Sequence, residues 1–226
     1  MLNHSFSWTR FWAPERVTTQ DHGFLPDPEG YFGDKQLVSF DQLMDIPCLI
    51  LLGNPGIGKS QTLRQLVAQI KSSGTLCVLK DFREFDDFGA FRRDIEAEPD
   101  FKAWLTDPNQ PLHLFLDSLD EGHLEMKRLR YDLRRFLQQD LPIDRLLLRV
   151  SCRSAELPSD FVALMREVWM DEQSQLVKIY TLAQLRERDV YEAALEHPGV
   201  DADAFLQTVR HLGIEAFAAY PVTLVD

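Results

Sequence analysis

The chain has 226 residues, 45% of them apolar and 27% charged, which is ordinary globular usage and excludes wholesale disorder or collagen-like repetition. Its 36 acidic residues outnumber its 24 basic ones and leave a formal charge of −12, opposite in sign to a generic nucleic-acid binder. No apolar run approaches the roughly 20 residues that cross a bilayer, and no basic-then-apolar secretory signal opens the chain, so a cytoplasmic protein away from membranes is expected.

The first forty residues differ from the rest. Phe6, Trp8, Phe11 and Trp12 crowd together, and the turn-rich stretch from Gly23 to Gly30 follows. Proline and glycine at that density argue against regular structure. The segment reads as an arm packed through its aromatic side chains, or as a docking segment or one wall of a ligand pocket.

From Ile46 onward short apolar runs alternate with helical periodicity, the pattern of a parallel α/β sheet. Four runs read as buried strands, Ile46–Leu52, Thr75–Leu79, Leu112–Leu116 and Leu146–Ser151, with Gln175–Thr181 as a fifth. Near-continuous apolarity fits strands covered on both faces. Leu63, Leu66, Val67 and Ile70 repeat with helical spacing, as do Phe161, Leu164, Met165, Val168 and Trp169. Asp201 or Asp203 is expected to cap a later helix whose apolar stripe is Ala204, Phe205, Thr208, Val209 and Leu212. Arg149 interrupts the fourth run, and nothing in the pattern accounts for it. Cys48, Cys77 and Cys152 sit in or beside apolar runs with no CxxC spacing and read as buried thiols. His113 alternates with leucines and reads as a core residue, and no histidine spacing suggests zinc.

Three motifs carry chemistry. Gly53-Asn54-Pro55-Gly56-Ile57-Gly58-Lys59-Ser60 fits G-x-x-x-x-G-K-[ST] between a predicted strand and the predicted helix Gln61–Lys71. Glycines let successive N–H groups of such a loop converge on phosphate oxygens, and the helix N-terminus adds partial positive charge. Lys59 would reach the β- and γ-phosphates, and the Ser60 hydroxyl would join the Mg²⁺ shell beside Gln61. Next, Leu112–Leu116 ends in Asp117-Ser118-Leu119-Asp120-Glu121-Gly122. A carboxylate at a strand's C-terminal end stands where open α/β sheets bind ligands, so Asp117 is the candidate metal partner. Asp120 and Glu121 are candidates to orient or deprotonate a water. Finally, Arg153 follows the strand Leu146–Ser151 and can read a γ-phosphate through charge-assisted hydrogen bonds.

Taken together, these motifs resemble the NACHT group of STAND ATPases, signalling P-loop switches. The family's second motif is an apolar strand, Asp, a small residue, an apolar residue, then Asp-Glu, and Leu114-Phe115-Leu116-Asp117-Ser118-Leu119-Asp120-Glu121 reads that way. AAA+ motors and loaders usually carry Asp-Glu directly at the strand end, where this chain has Asp117-Ser118. Arg153 matches the family's arginine after the fourth strand. Ala219-Tyr220-Pro221 looks like the segment whose proline packs on the nucleotide base, with Ala219 where glycine is common.

The resemblance spans about Asp45 to Asp226. It implies an arm or linker over 1–40, a doubly wound, mainly parallel P-loop NTPase core over 41–182 and the start of a helical subdomain over 183–226. It further implies ATP or ADP with Mg²⁺, slow regulatory hydrolysis, self-association on activation, effector and sensor domains elsewhere, and a role in bacterial immunity or signalling. Three other readings compete. A motor or loader on nucleic acid or protein would use the basic cluster Lys127, Arg128, Arg130, Arg134 and Arg135, but with the intervening acid Asp132 and nearby Glu125 that cluster reads better as a solvated helix face. The others are a small-molecule kinase and a scaffold that never hydrolyses nucleotide.

Overall fold

The computed structural model describes residues 8–15, 17, 23–28, 36–121, 126–173 and 175–225. Phe6, Gly30, Gly122 and Glu125, named above, lie outside the described residues. The chain is α/β, and its described strands form a seven-stranded, mostly parallel sheet in the order β2-β1-β7-β3-β6-β5-β4.

The strands are β1 (Phe11–Pro14), β2 (Val38–Ser39), β3 (Cys48–Leu52), β4 (Leu76–Asp81), β5 (Leu112–Asp117), β6 (Leu146–Cys152) and β7 (Val177–Leu182). The helices are α1 (Lys59–Ser72), α2 (Phe88–Ala97), α3 (Pro99–Thr106), α4 (Met126–Asp140), α5 (Ser159–Val168), α6 (Glu187–Glu196), α7 (Ala202–Leu212), α8 (Glu215–Ala218) and α9 (Val222–Val225). No helix among the described residues is long and apolar enough to cross a membrane.

Two compact units divide the chain. One comprises Met44–Leu52 and Ser60–Tyr180; the other comprises Gly53–Lys59, Thr181–Asp226 and the described part of Met1–Leu43. The glycine-rich loop at 53–59 groups with the flanking segments.

In the first unit β3, β6, β5 and β4 lie side by side in parallel, with Leu52 opposite Cys152 and Asp81 opposite Asp117. The expected apolar runs form these strands almost residue for residue, because strands covered on both faces leave no position for a polar side chain without a partner. Helices supply the covering layers: Phe91, Phe101, Trp104, Phe136 and Phe161 are buried with the strand residues in one cluster. Arg149 is fully buried and now has its reason. Its Nη1 donates to the carbonyls of Ile46 (2.6 Å) and Leu148 (3.1 Å), and its Nη2 to that of Met44 (2.5 Å). The cation thus ties the segment entering β3 to β6, and burial pushes its pKa down to about 10. His113 is buried as expected, and burial, with Arg149 adding to it, pushes it down to about 4. All three cysteines are buried thiols outside any disulfide, and burial pushes Cys48 and Cys77 up to about 12.

Two expectations are corrected in the second unit. The arm is not devoid of regular structure: Phe11–Pro14 is a strand, antiparallel to β2, and the Ala183 N–H donates to the Phe11 carbonyl at 3.0 Å. Three apolar residues are too short a run to show periodicity, yet main-chain pairing and the burial of Trp12 and Ala13 suffice to make the strand. The helix capped by Asp201 (Ala204 N–H to Oδ1, 3.0 Å) buries Ala202, Leu206 and Val209, whereas Ala204, Thr208 and Leu212 are exposed. Two apolar stripes about half a turn apart compete on this helix. The one containing Leu206 faces the cluster of Leu185, Val190 and Ala218.

Candidate functional site

The glycine-rich loop follows β3 directly and opens α1, whose first residues are Lys59 and Ser60. Gly56 (φ 77°) and Gly58 (φ 90°) adopt left-handed backbone that side chains strain against. Space reinforces the requirement. A Cβ on Gly56 would stand 2.7 Å from Val222 Cγ1, and one on Gly58 would stand 3.1 Å from Arg10 Nη1 and 3.2 Å from Pro221 Cγ. Gly53 and Ile57 are buried, Asn54, Pro55, Gly56 and Gln61 are exposed, and Gly58, Lys59 and Ser60 are half-buried.

Three segments hold the loop. Lys59 Nζ donates to the Gly53 carbonyl at 2.7 Å, closing the turn on itself. From the C-terminal tail, the Tyr220 hydroxyl accepts from Asn54 Nδ2 (3.2 Å), and the Val222 N–H lies 3.4 Å from the Gly56 carbonyl. Pro221 is thus beside Gly58. From the arm, Arg10 Nη2 donates to the Ile57 carbonyl (3.1 Å) and to that of Ala183 (2.7 Å). Arg10 belongs to none of the sequence motifs, and Tyr220 stood in one only as the neighbour of Pro221. The only signal for Arg10 was a lone cation among aromatic residues.

In the other unit, the parallel ladder brings Asp117, Asp120, Glu121 and Arg153 together. Asp117 ends β5 and is 3% exposed. Its Oδ1 accepts from the Ser118 N–H (2.9 Å) and from the Ser151 hydroxyl. Ser118 takes φ 59°, unusual for a residue with a side chain, and so turns the chain to let the Leu119 N–H reach the Ser151 carbonyl (3.0 Å). Asp120 accepts from the Arg153 N–H at 3.0 Å. The Arg153 guanidinium meets Glu121 Oε1 at 3.0 Å through Nε and 2.7 Å through Nη2, with Asp120 Oδ2 3.4 Å away. The candidate sensor and both candidate water activators are therefore paired with one another.

A further pair joins them. Asp81 ends β4 in register with Asp117, and its carboxylate accepts from Arg83 at 3.0 Å. Burial opposes its charge, but the hydrogen bonds and charge of Arg83 prevail and hold its pKa below the ordinary value. Arg83 Nη1 stands 3.6 Å from Glu121 Oε2. Ser151, Asp81 and Arg83 were missed in the sequence; an acid ending a second apolar run was the available signal. Ser60 belongs to this unit and starts its part of α1. Among the described residues no three His, Cys, Asp or Glu side chains converge on one metal position. The basic face of α4 is partly neutralised: Arg130 pairs with Asp160, and Arg134 with Glu167 at 3.0 Å.

Compared with known proteins, the chain matches no family model, and no curated protein is similar enough to count as a match.

Proposed function

We propose that the protein is a Mg²⁺-dependent P-loop nucleoside triphosphatase of the NACHT/STAND type, a cytoplasmic ATP-binding switch that hydrolyses ATP slowly and serves as the nucleotide-binding core, over 41–182 with the helical segment after it, of a larger bacterial immunity or signalling protein. One observation carries this reading. The G-x-x-x-x-G-K-S loop, with left-handed glycines, leaves β3 and opens α1, while β6, the next strand of the ladder, ends at Cys152 just before Arg153 and β5 ends at Asp117. Sequence motifs alone could come from unrelated turns. Their coincidence with the ends of adjacent parallel strands is what a phosphate site of this class requires.

The residues fit the groups the reading invokes. Ser60 and Asp117 offer a hydroxyl and a carboxylate, hard oxygen donors of the kind Mg²⁺ takes singly or in pairs before phosphate and water complete its shell. Bound there, Mg²⁺ would neutralise charge on the transferring phosphate oxygens. The loop amides of 53–60 would cradle phosphate, and Lys59 would exchange the Gly53 carbonyl for a phosphate oxygen. Pro221 would pack on the base. Glu121 or Asp120 would orient the attacking water once Arg153 turns from them to a γ-phosphate. That exchange gives ATP and ADP unequal effects, as any nucleotide switch needs, and an ATP-favoured state would self-associate and signal to effector and sensor domains.

The alternative, an AAA+-like motor or loader on nucleic acid or protein, rests on the basic face of α4. The pairing of Arg130 and Arg134 with acids on α5 weakens it. The deciding experiment is thermal unfolding with Mg²⁺ and ATP or ADP. At 100 times its dissociation constant a nucleotide stabilises its protein by about 2.7 kcal/mol. Lys59→Ala is expected to abolish that stabilisation, and an undiminished shift would remove Lys59 from the site.

A further inference from the structure

Arg10 takes no part in the motifs above, yet it reaches the loop from the arm. It is 8% exposed and precedes β1 directly. One of its nitrogens, Nη2, serves two carbonyls, that of Ile57 in the loop and that of Ala183 just after β7. Ala183 in turn donates its N–H to the Phe11 carbonyl, next to Arg10. The guanidinium therefore bolts the loop to a main-chain pairing it did not fold with locally.

The bond to Ile57 has a directional consequence. In a trans peptide the carbonyl and the following N–H point in opposite directions, and the described chain has no cis peptide. Holding the Ile57 carbonyl on Arg10 turns the Gly58 N–H away from Arg10, toward the side a phosphate-binding loop must present. The Gly58 position permits the close approach because a Cβ there would stand 3.1 Å from Arg10 Nη1. Arg10 also keeps a cation behind the loop in surroundings poor in water. Burial pushes its pKa down to about 10, against the opposing influence of Asp189, and it stays charged at neutral pH.

We propose that Arg10 is a positioning residue for the diphosphate of a bound nucleotide, aiming the Gly58 amide at a phosphate oxygen by fixing the Ile57 carbonyl. The inference rests on reading 53–60 as a nucleotide loop, and it makes the arm a functional part of that site. Loss of the arm's grip would then weaken phosphate binding without touching any motif residue.

The test measures Mg²⁺–ADP affinity calorimetrically in the full chain, together with the melting temperature without nucleotide. Arg10→Met is expected to weaken ADP binding at least tenfold, and Arg10→Lys, which restores the charge and one or more donors, to recover most of it. Trp12→Leu, in the strand that follows Arg10, controls for loosening of the arm: it should lower the melting temperature while ADP affinity stays within twofold of the parent. The proposal is overturned if Arg10→Met binds ADP as the parent does, or if Trp12→Leu loses affinity equally at an equal fall in melting temperature. Should Arg10→Met not fold, Arg10→Lys and Arg10→Gln decide between the same outcomes, Lys binding more tightly than Gln if the proposal holds and no better if it does not. A parent protein that binds no ADP at all would instead sink the nucleotide reading itself.

Discussion

The acid-bearing end of β5 and the loop at 53–59 both carry the chemistry proposed here, but they are held by different means. Asp117 is held by groups of its own ladder: Ser118 beside it and Ser151 on the adjacent strand β6. The loop is held by side chains from remote stretches, Arg10 being 47 positions away and Tyr220 166 positions away. A site fixed by sheet register can open only if the sheet does. A site fixed by two outlying fasteners can loosen alone, at a local cost well below global unfolding. The contrast assigns rigidity to the side proposed to hold metal and water and adjustability to the proposed phosphate loop.

The largest effect expected on the rigid side comes from Arg149. Replacing it with Met leaves the half-buried carbonyls of Met44 and Ile46 without their donor at a fully buried position, which should cost about 3 kcal/mol in urea unfolding. A loss below about 1 kcal/mol would mean that register, and not this cation, holds the entrance to β3. Glu121→Gln comes next. It preserves shape but removes the base, so ATP should still bind while hydrolysis falls roughly a hundredfold; equal turnover in variant and parent would take Glu121 out of the mechanism. His113 gives a somewhat smaller, pH-dependent effect. Its folded value near 4 lies below the ordinary 6.5, so the unfolded chain takes up a proton first as the pH falls. The stability from keeping it neutral is complete above pH 6.5 and is lost progressively down to pH 4. His113→Leu should flatten that slope between pH 6.5 and 4, and an unchanged slope would assign it to other groups.

The same contrast explains what the sequence could disclose. Strands β3 to β6 were legible because a run buried on both faces must be apolar, and Asp117 was legible because an acid closing such a run has few other uses. Asp81 offered the same signal one strand away, but Lys80 before it broke the apolar run and hid the strand's end. That lysine is tied by Asp94 and Glu98. The stripe of α7 was misphased because Leu206 and Leu212 are equally apolar, and only the neighbouring cluster decides which one is covered. Arg10 and Tyr220 were illegible for a stronger reason. Their partners are carbonyls and an exposed amide brought close by tertiary folding, and main-chain acceptors leave no mark on residue identity.

The smallest effect tests the fastener at the other end of the loop. Tyr220→Phe keeps the ring and removes only the hydroxyl that accepts from Asn54 at 3.2 Å, in an exposed setting where water can replace it. A single bond of this kind contributes about 0.5–1 kcal/mol, so global stability should scarcely move. The loop itself should respond. If Tyr220 and Arg10 are what close it, amide hydrogen exchange at 54–58 should quicken about twofold to fivefold in the variant, the ratio that energy corresponds to, while exchange in β5 and β6 stays as it was. Equal acceleration in both regions would show that the loop opens only with the sheet, and the distinction between a rigid edge and an adjustable loop would fall with it.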